Sequence, residues 1–120
     1  MKTIHEQDYA TNKDGTVICI SVYYSLGGMN YFTGANEARG YYISVTPQEV
    51  EGGFRRTRAF SGTKKLLHKC SRKSDSGARC ALPIAVAETP RLLDYVLEKS
   101  GLKLKEAICT SKTFPHLGAV

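Results

Sequence analysis

Arg55, Arg56 and Arg58, followed by Lys64, Lys65, Lys69, Arg72 and Lys73, are the side chains of this sequence best suited to hold phosphates. Guanidinium groups fork onto pairs of phosphate oxygens, and ammonium groups act as compact point charges. From Arg55 to Cys80 nine Lys/Arg stand against one acid, Asp75; the net charge of +6 divides into −3 over Met1 to Phe54, +8 over this segment and +1 from Ala81 onward. An excess so localised concentrates anions at one face, as diffuse charge does not. If six of these cations each neutralised one phosphate, log affinity for a single strand would fall against log salt with a slope of roughly −4.

Aromatic residues are distributed just as unevenly. Six of the seven tyrosines, Tyr9, Tyr23, Tyr24, Tyr31, Tyr41 and Tyr42, precede the basic segment. Neighbours such as Tyr23-Tyr24 and Tyr41-Tyr42 point to opposite faces of a strand, so one of each pair leaves the core face. Exposed Tyr23, Tyr31 and Tyr42 beside arginines are expected to stack bases while the cations take the phosphates. Tyrosine is also common in strands for packing reasons alone.

Other chemistry finds little support. His68-x-Cys70 with Cys80 offers three metal ligands around the loop Ser71 to Gly77, but structural zinc sites show closely paired ligands, and Cys19 and Cys109 are distant. Buried apolar thiols are the better account, and no metal or other cofactor is expected. His5, His68 and His116 are scattered, with no nucleophile turn beside them, so no catalytic residue is assigned. Gly27-Gly28 and Gly52-Gly53 have neither the spacing nor the ending of a phosphate-cradling loop. A helix opening at Ser61 to Lys64 would present free N–H groups to an anion.

The elements that must position these residues follow from periodicity. In Thr16 to Leu26, Ile18, Ile20, Val22, Tyr24 and Leu26 alternate with more polar residues, which predicts a strand with one buried face. Gly27-Gly28 followed by Met29 to Thr33 predicts a two-residue hairpin. Tyr41 to Thr46 forms a third strand ending at Pro47, and Phe54 to Phe60 a fourth after Glu51-Gly52-Gly53. A weaker edge strand is expected near Thr3 to Ala10.

The period then changes to about 3.6. Ser61 caps a first helix with Leu66, Leu67 and Cys70 inward, and Ala78 to Ala87 reads as a second, starting as early as Ser74 or Asp75 and kinked or split at Pro83. Thr89 caps a last helix, with Pro90 at its first position, Leu92, Leu93, Val96 and Leu97 inward and Gly101 at its end. Leu102 to Ile108 suits a short strand or docking segment.

The fold expected is α+β, an N-terminal antiparallel meander of about four strands followed by two or three helices packed on one face. One domain is expected over 1–109, with 110–120 as a tail. Arg39-Gly40-Tyr41 invites comparison with the RNA-recognition motif, but Tyr42, Ile43 and Thr46 break the pattern that follows. By order of elements the chain is similar to the transcriptional-coactivator, Pur or Whirly type of single-strand-binding module. Neither a signal peptide nor a membrane span is expected, and a cytoplasmic location follows as the default. The function expected is a nucleic-acid-binding module, single strands favoured, and a dimer is consistent with so small a sheet. The alternative is an assembly subunit without catalytic activity whose basic band meets an acidic protein.

Overall fold

The computed structural model describes residues 2–29, 34, 36–58 and 61–105. Two central strands, β2 (Thr16–Ser25) and β5 (Gly40–Glu51), pair antiparallel in an unbroken register from Thr16 opposite Glu49 to Ser25 opposite Gly40. Ile18, Ile20, Val22 and Tyr24 fall opposite Pro47, Val45, Ile43 and Tyr41, so one sheet face is a continuous apolar layer. Strand β1 (Lys2–Ala10) flanks β2 after the turn Thr11 to Gly15. The buried Thr11 hydroxyl donates to the Thr16 carbonyl at 2.8 Å and accepts from the Lys13 N–H, closing that turn.

Strand β5 is long enough for two partners on its far edge. Strand β6 (Phe54–Thr57) returns along its last residues through the Gly52-Gly53 turn, where both glycines have positive φ, as a tight hairpin requires. Strand β7 (Thr63–Lys69) pairs with its first residues, Gly40 to Val45. The expected meander therefore survives as four strand positions, the last one shared by β6 and β7.

Three expectations are corrected. Gly28–Met29 (β3) does not turn back onto β2 but pairs with Asn36–Glu37 (β4), because β5 offers β2 ten cross-strand pairs and an apolar face; the rest of the expected strand, 30–33, lies outside the described residues. The segment after Ser61 is a strand, not a helix. Leu66 lies opposite Tyr42, whereas Leu67 turns into the core at a register shift, and together they fill an edge of β5 that a helix would leave unpaired. Among the described residues the two or three helices are a single one, α1 (Asp75–Ser100), with Pro83 and Pro90 inside it. The architecture of the described residues is thus mostly β-sheet with one helix following it, not a sheet half and a helical half.

Helix α1 lies on the apolar face through a stripe of small residues, Gly77, Ala81, Ala85 and Thr89, followed by Leu92, Leu93 and Val96. Small side chains allow close approach, which offsets the hydrogen bonds lost at two prolines. The Ser74 hydroxyl caps the start by accepting from Gly77 N–H at 3.1 Å, and Gly101 ends the helix in the left-handed region. Past the helix, Leu104 bridges to Thr11 at the outer side of β1. Part of Leu102 to Ile108 and the whole of 110–120 lie outside the described residues. Among those described, no helix is long and apolar enough to cross a membrane.

Candidate nucleic-acid interface

The sheet face opposite α1 was expected to carry the stacking tyrosines. Tyr23 and Tyr42 do face each other there, rings 5.9 Å apart and 15° from parallel, but they are only 8% and 5% exposed. The chain around β4 closes over them. The Tyr42 hydroxyl donates to the Ala38 carbonyl, and Lys64 Nζ sits 5.2 Å over the Tyr42 ring while reaching Glu37 at 2.7 Å. Burial, with Glu37 beside them, pushes both hydroxyls above the ordinary tyrosine range. Neither ring offers a face to a base, which corrects the expectation of exposed sheet tyrosines. Tyr31 lies outside the described residues.

Farther along this face Arg55 spans the sheet to donate to Asp8 on β1 at 2.5 Å, and also reaches Gln48 at 3.0 Å. Asp8 borders Glu6 and Cys19, and burial first, then those two carboxylates, pushes the Cys19 thiol up to about 12.

Pairing divides the eight candidate cations. Arg55 is bound to Asp8, Arg58 to Glu49, Lys64 to Glu37, and Lys65 to Glu88 of α1 at 2.9 Å. Arg91 shares the Glu88 carboxylate, and the two cations hold it below the ordinary glutamate range. Arg56, Lys69, Arg72 and Lys73 are exposed, and the first three stand in no ion pair among the described residues.

These four do not form one patch. Arg56 sits on the β5–β6 ribbon near its Gly52-Gly53 tip, beside Phe54, which is 82% exposed. Lys69, Arg72 and Lys73 lie at the opposite end of β5, where Gly40 meets Lys69. At about 3.3 Å per residue the two ends are roughly 36 Å apart.

The second end is the denser one. Two cations beyond the eight candidates join it. Arg39 donates from Nε to the Leu26 carbonyl and from Nη1 to the Ser71 carbonyl at 3.1 Å, which anchors it against the loop between β7 and α1. Arg79 is exposed in the first turns of α1. The helix N-terminus adds a partial positive charge, tempered by Asp75 in its first turn. Between loop and helix lies a pocket of about 290 Å³ lined by His68, Cys70, Arg72 and Cys80 together with Ser71, Ser74 and Ser76. Arg79 already stood inside the acid-poor stretch of sequence, a signal that was available; the approach of Arg39 depends on the β5–β7 pairing and had none.

No family model, no curated protein and no solved structure matches this chain.

Proposed function

We propose that the protein is a nucleic-acid-binding module that grips the sugar–phosphate backbone at the corner between β7 and α1. The observation that carries this reading is the grouping of Lys69, Arg72, Lys73 and Arg79 around a helix start where Asp75 is the one acid in the sequence from Arg55 to Cys80. With Tyr23 and Tyr42 buried, the binding is led by phosphates, and sequence or strandedness preference is correspondingly weak. Phe54, on the exposed ribbon tip, is the aromatic placed to stack on an unpaired base.

Fluorescence anisotropy with labelled single- and double-stranded oligonucleotides tests the proposal. Four phosphate contacts give slopes of log affinity against log salt of about −3 for a single strand and about −3.6 for a duplex. Replacing Arg72 and Arg79 together with Ala lowers the single-strand slope by about 1.4 while leaving the fold intact, since both are exposed. A folded protein that binds neither oligonucleotide at low salt overturns the reading.

The second reading, an assembly subunit, has its own observation: Leu26 and Met29 are 63% and 59% exposed beside the β3–β4 ribbon. It predicts a stable oligomer in light scattering that persists at high salt and has no affinity for oligonucleotides.

A further inference from the structure

His68 and Cys70 lie at the end of β7 and Cys80 lies on α1, yet all three line the one pocket at the corner. Cys70 packs against the core from beneath the first turn of the helix. Gly77 makes that approach possible: a β-carbon there would stand 2.8 Å from Tyr41 Cε2 and 3.6 Å from Cys70 Sγ. Cys80 follows Gly77 by three residues and so projects from the same side of the helix.

An imidazole and two thiolates are a soft ligand set that selects zinc-class ions over magnesium or calcium. We infer that this pocket is a zinc-class metal site, with Cys70 and Cys80 as thiolate ligands, His68 as the imidazole ligand and a fourth position open to solvent. On binding, each thiol releases its proton to solvent as its S–metal bond forms, and the ion sheds water. Two thiolates cancel the charge of a divalent ion, so the site adds no net charge to an already basic corner. The ion would fasten the end of β7 to the start of α1 and fix the loop that carries Arg72 and Lys73.

The three ligand atoms do not all lie within 4.8 Å of one another; among the described residues Glu6, Asp8 and Cys19 meet that spacing. Binding therefore requires a rotamer change, which the exposed Cys80 side chain is free to make. The Glu6, Asp8 and Cys19 set is the weaker candidate because Asp8 is engaged by Arg55 and the Cys19 thiol is held protonated.

The test is titration of the full-length, reduced, chelator-treated protein with Co²⁺, followed by Zn²⁺ competition. One equivalent of Co²⁺ should give a thiolate-to-cobalt charge-transfer band and the visible d–d bands of tetrahedral coordination, both abolished by Zn²⁺. Cys80→Ser and His68→Ala should each weaken binding at least tenfold, because ligand loss costs no less than loss of an outer-shell partner. Cys19→Ser and Cys109→Ser should leave it unchanged. Cys80 is exposed, so its variant folds even if Cys70→Ser does not. Absence of a thiolate band in folded, reduced protein overturns the inference, as does a band that survives Cys80→Ser or vanishes in Cys19→Ser.

Discussion

Tyr41 ties the sheet to the start of the helix, and removing its hydroxyl measures that tie. The ring is fully buried in the core, 5.3 Å from Tyr24, so Tyr41→Phe keeps the packing and deletes one oxygen. That oxygen makes two bonds to one residue: it donates to the Ser74 carbonyl at 2.9 Å and accepts from the Ser74 N–H at 3.1 Å. The Ser74 carbonyl still accepts from Ala78 N–H at 3.1 Å, whereas its N–H is left partly buried with nothing in place of the phenol. A buried donor stripped of its partner costs about 1–3 kcal/mol. In a domain of this size each kcal/mol lowers Tm by about 4 °C, so a drop of about 4–12 °C is expected.

Thermal and urea unfolding followed by circular dichroism check this. The urea midpoint should fall while the slope m stays constant, since neither the buried surface nor the unfolded chain changes. Ser74→Ala, which removes the cap to Gly77 N–H, should cost about 1 kcal/mol by itself. Both changes loosen the same turn, so the double variant should lose less than the sum of the two. A Tyr41→Phe protein that melts within about 1 °C of the parent would refute the claim that this hydroxyl sets the corner. Strict additivity would show that the two bonds act on separate units.

Two further outcomes depend on pH. The Cys19 thiol is pushed up to about 12, so the fold prefers the neutral thiol; its contribution is complete below about 9 and is lost as pH rises from there, so Cys19→Ala should make alkaline unfolding curves shallower, leaving the slope that Tyr23 and Tyr42 supply. For Glu88, held low by Lys65 and Arg91, the sign is opposite: its contribution is present above the ordinary glutamate range and is lost as pH falls through the lowered value, so Glu88→Gln should flatten the acid limb of urea midpoint against pH.

Sequence periodicity disclosed the parts of this fold in which one face settles the matter. The alternation from Ile18 to Tyr24, the positive-φ turn at Gly52-Gly53 and the helix stop at Gly101 each rest on neighbours in the chain, and each is present. The misread parts depend on distant partners. Lys64 to Lys69 carries its apolar residues side by side, a pattern that suits one turn of helix as well as a strand with a register shift; the unpaired edge of β5 decides between them. Pro83 and Pro90 read as breaks because a proline removes a helix hydrogen bond, yet the small-residue stripe from Gly77 to Thr89 holds the helix against the sheet across both. Tyr23 and Tyr42 do leave the core face, as alternation requires, but what covers them there is the chain near Glu37 and Ala38, which alternation does not reveal.

The same dependence on distant partners reshapes the charge. Met1 to Phe54 carries six acids, and three of them, Asp8, Glu37 and Glu49, bind Arg55, Lys64 and Arg58. The acidic front of the sequence thus neutralises three cations in the first half of the basic segment and leaves Arg56 on β6 open. These pairs are solvent-screened and add little to stability. Their larger effect is subtractive: they take Arg55, Arg58 and Lys64 out of competition for outside anions. Apart from Arg56, the charge without an ion pair among the described residues gathers at the opposite end of β5, with Arg39, Lys69, Arg72 and Arg79 near the start of α1. The loop fastened by Tyr41 and flanked by His68, Cys70 and Cys80 carries Arg72 and Lys73, so the integrity of that one turn governs both the cap and the surface proposed to bind anions.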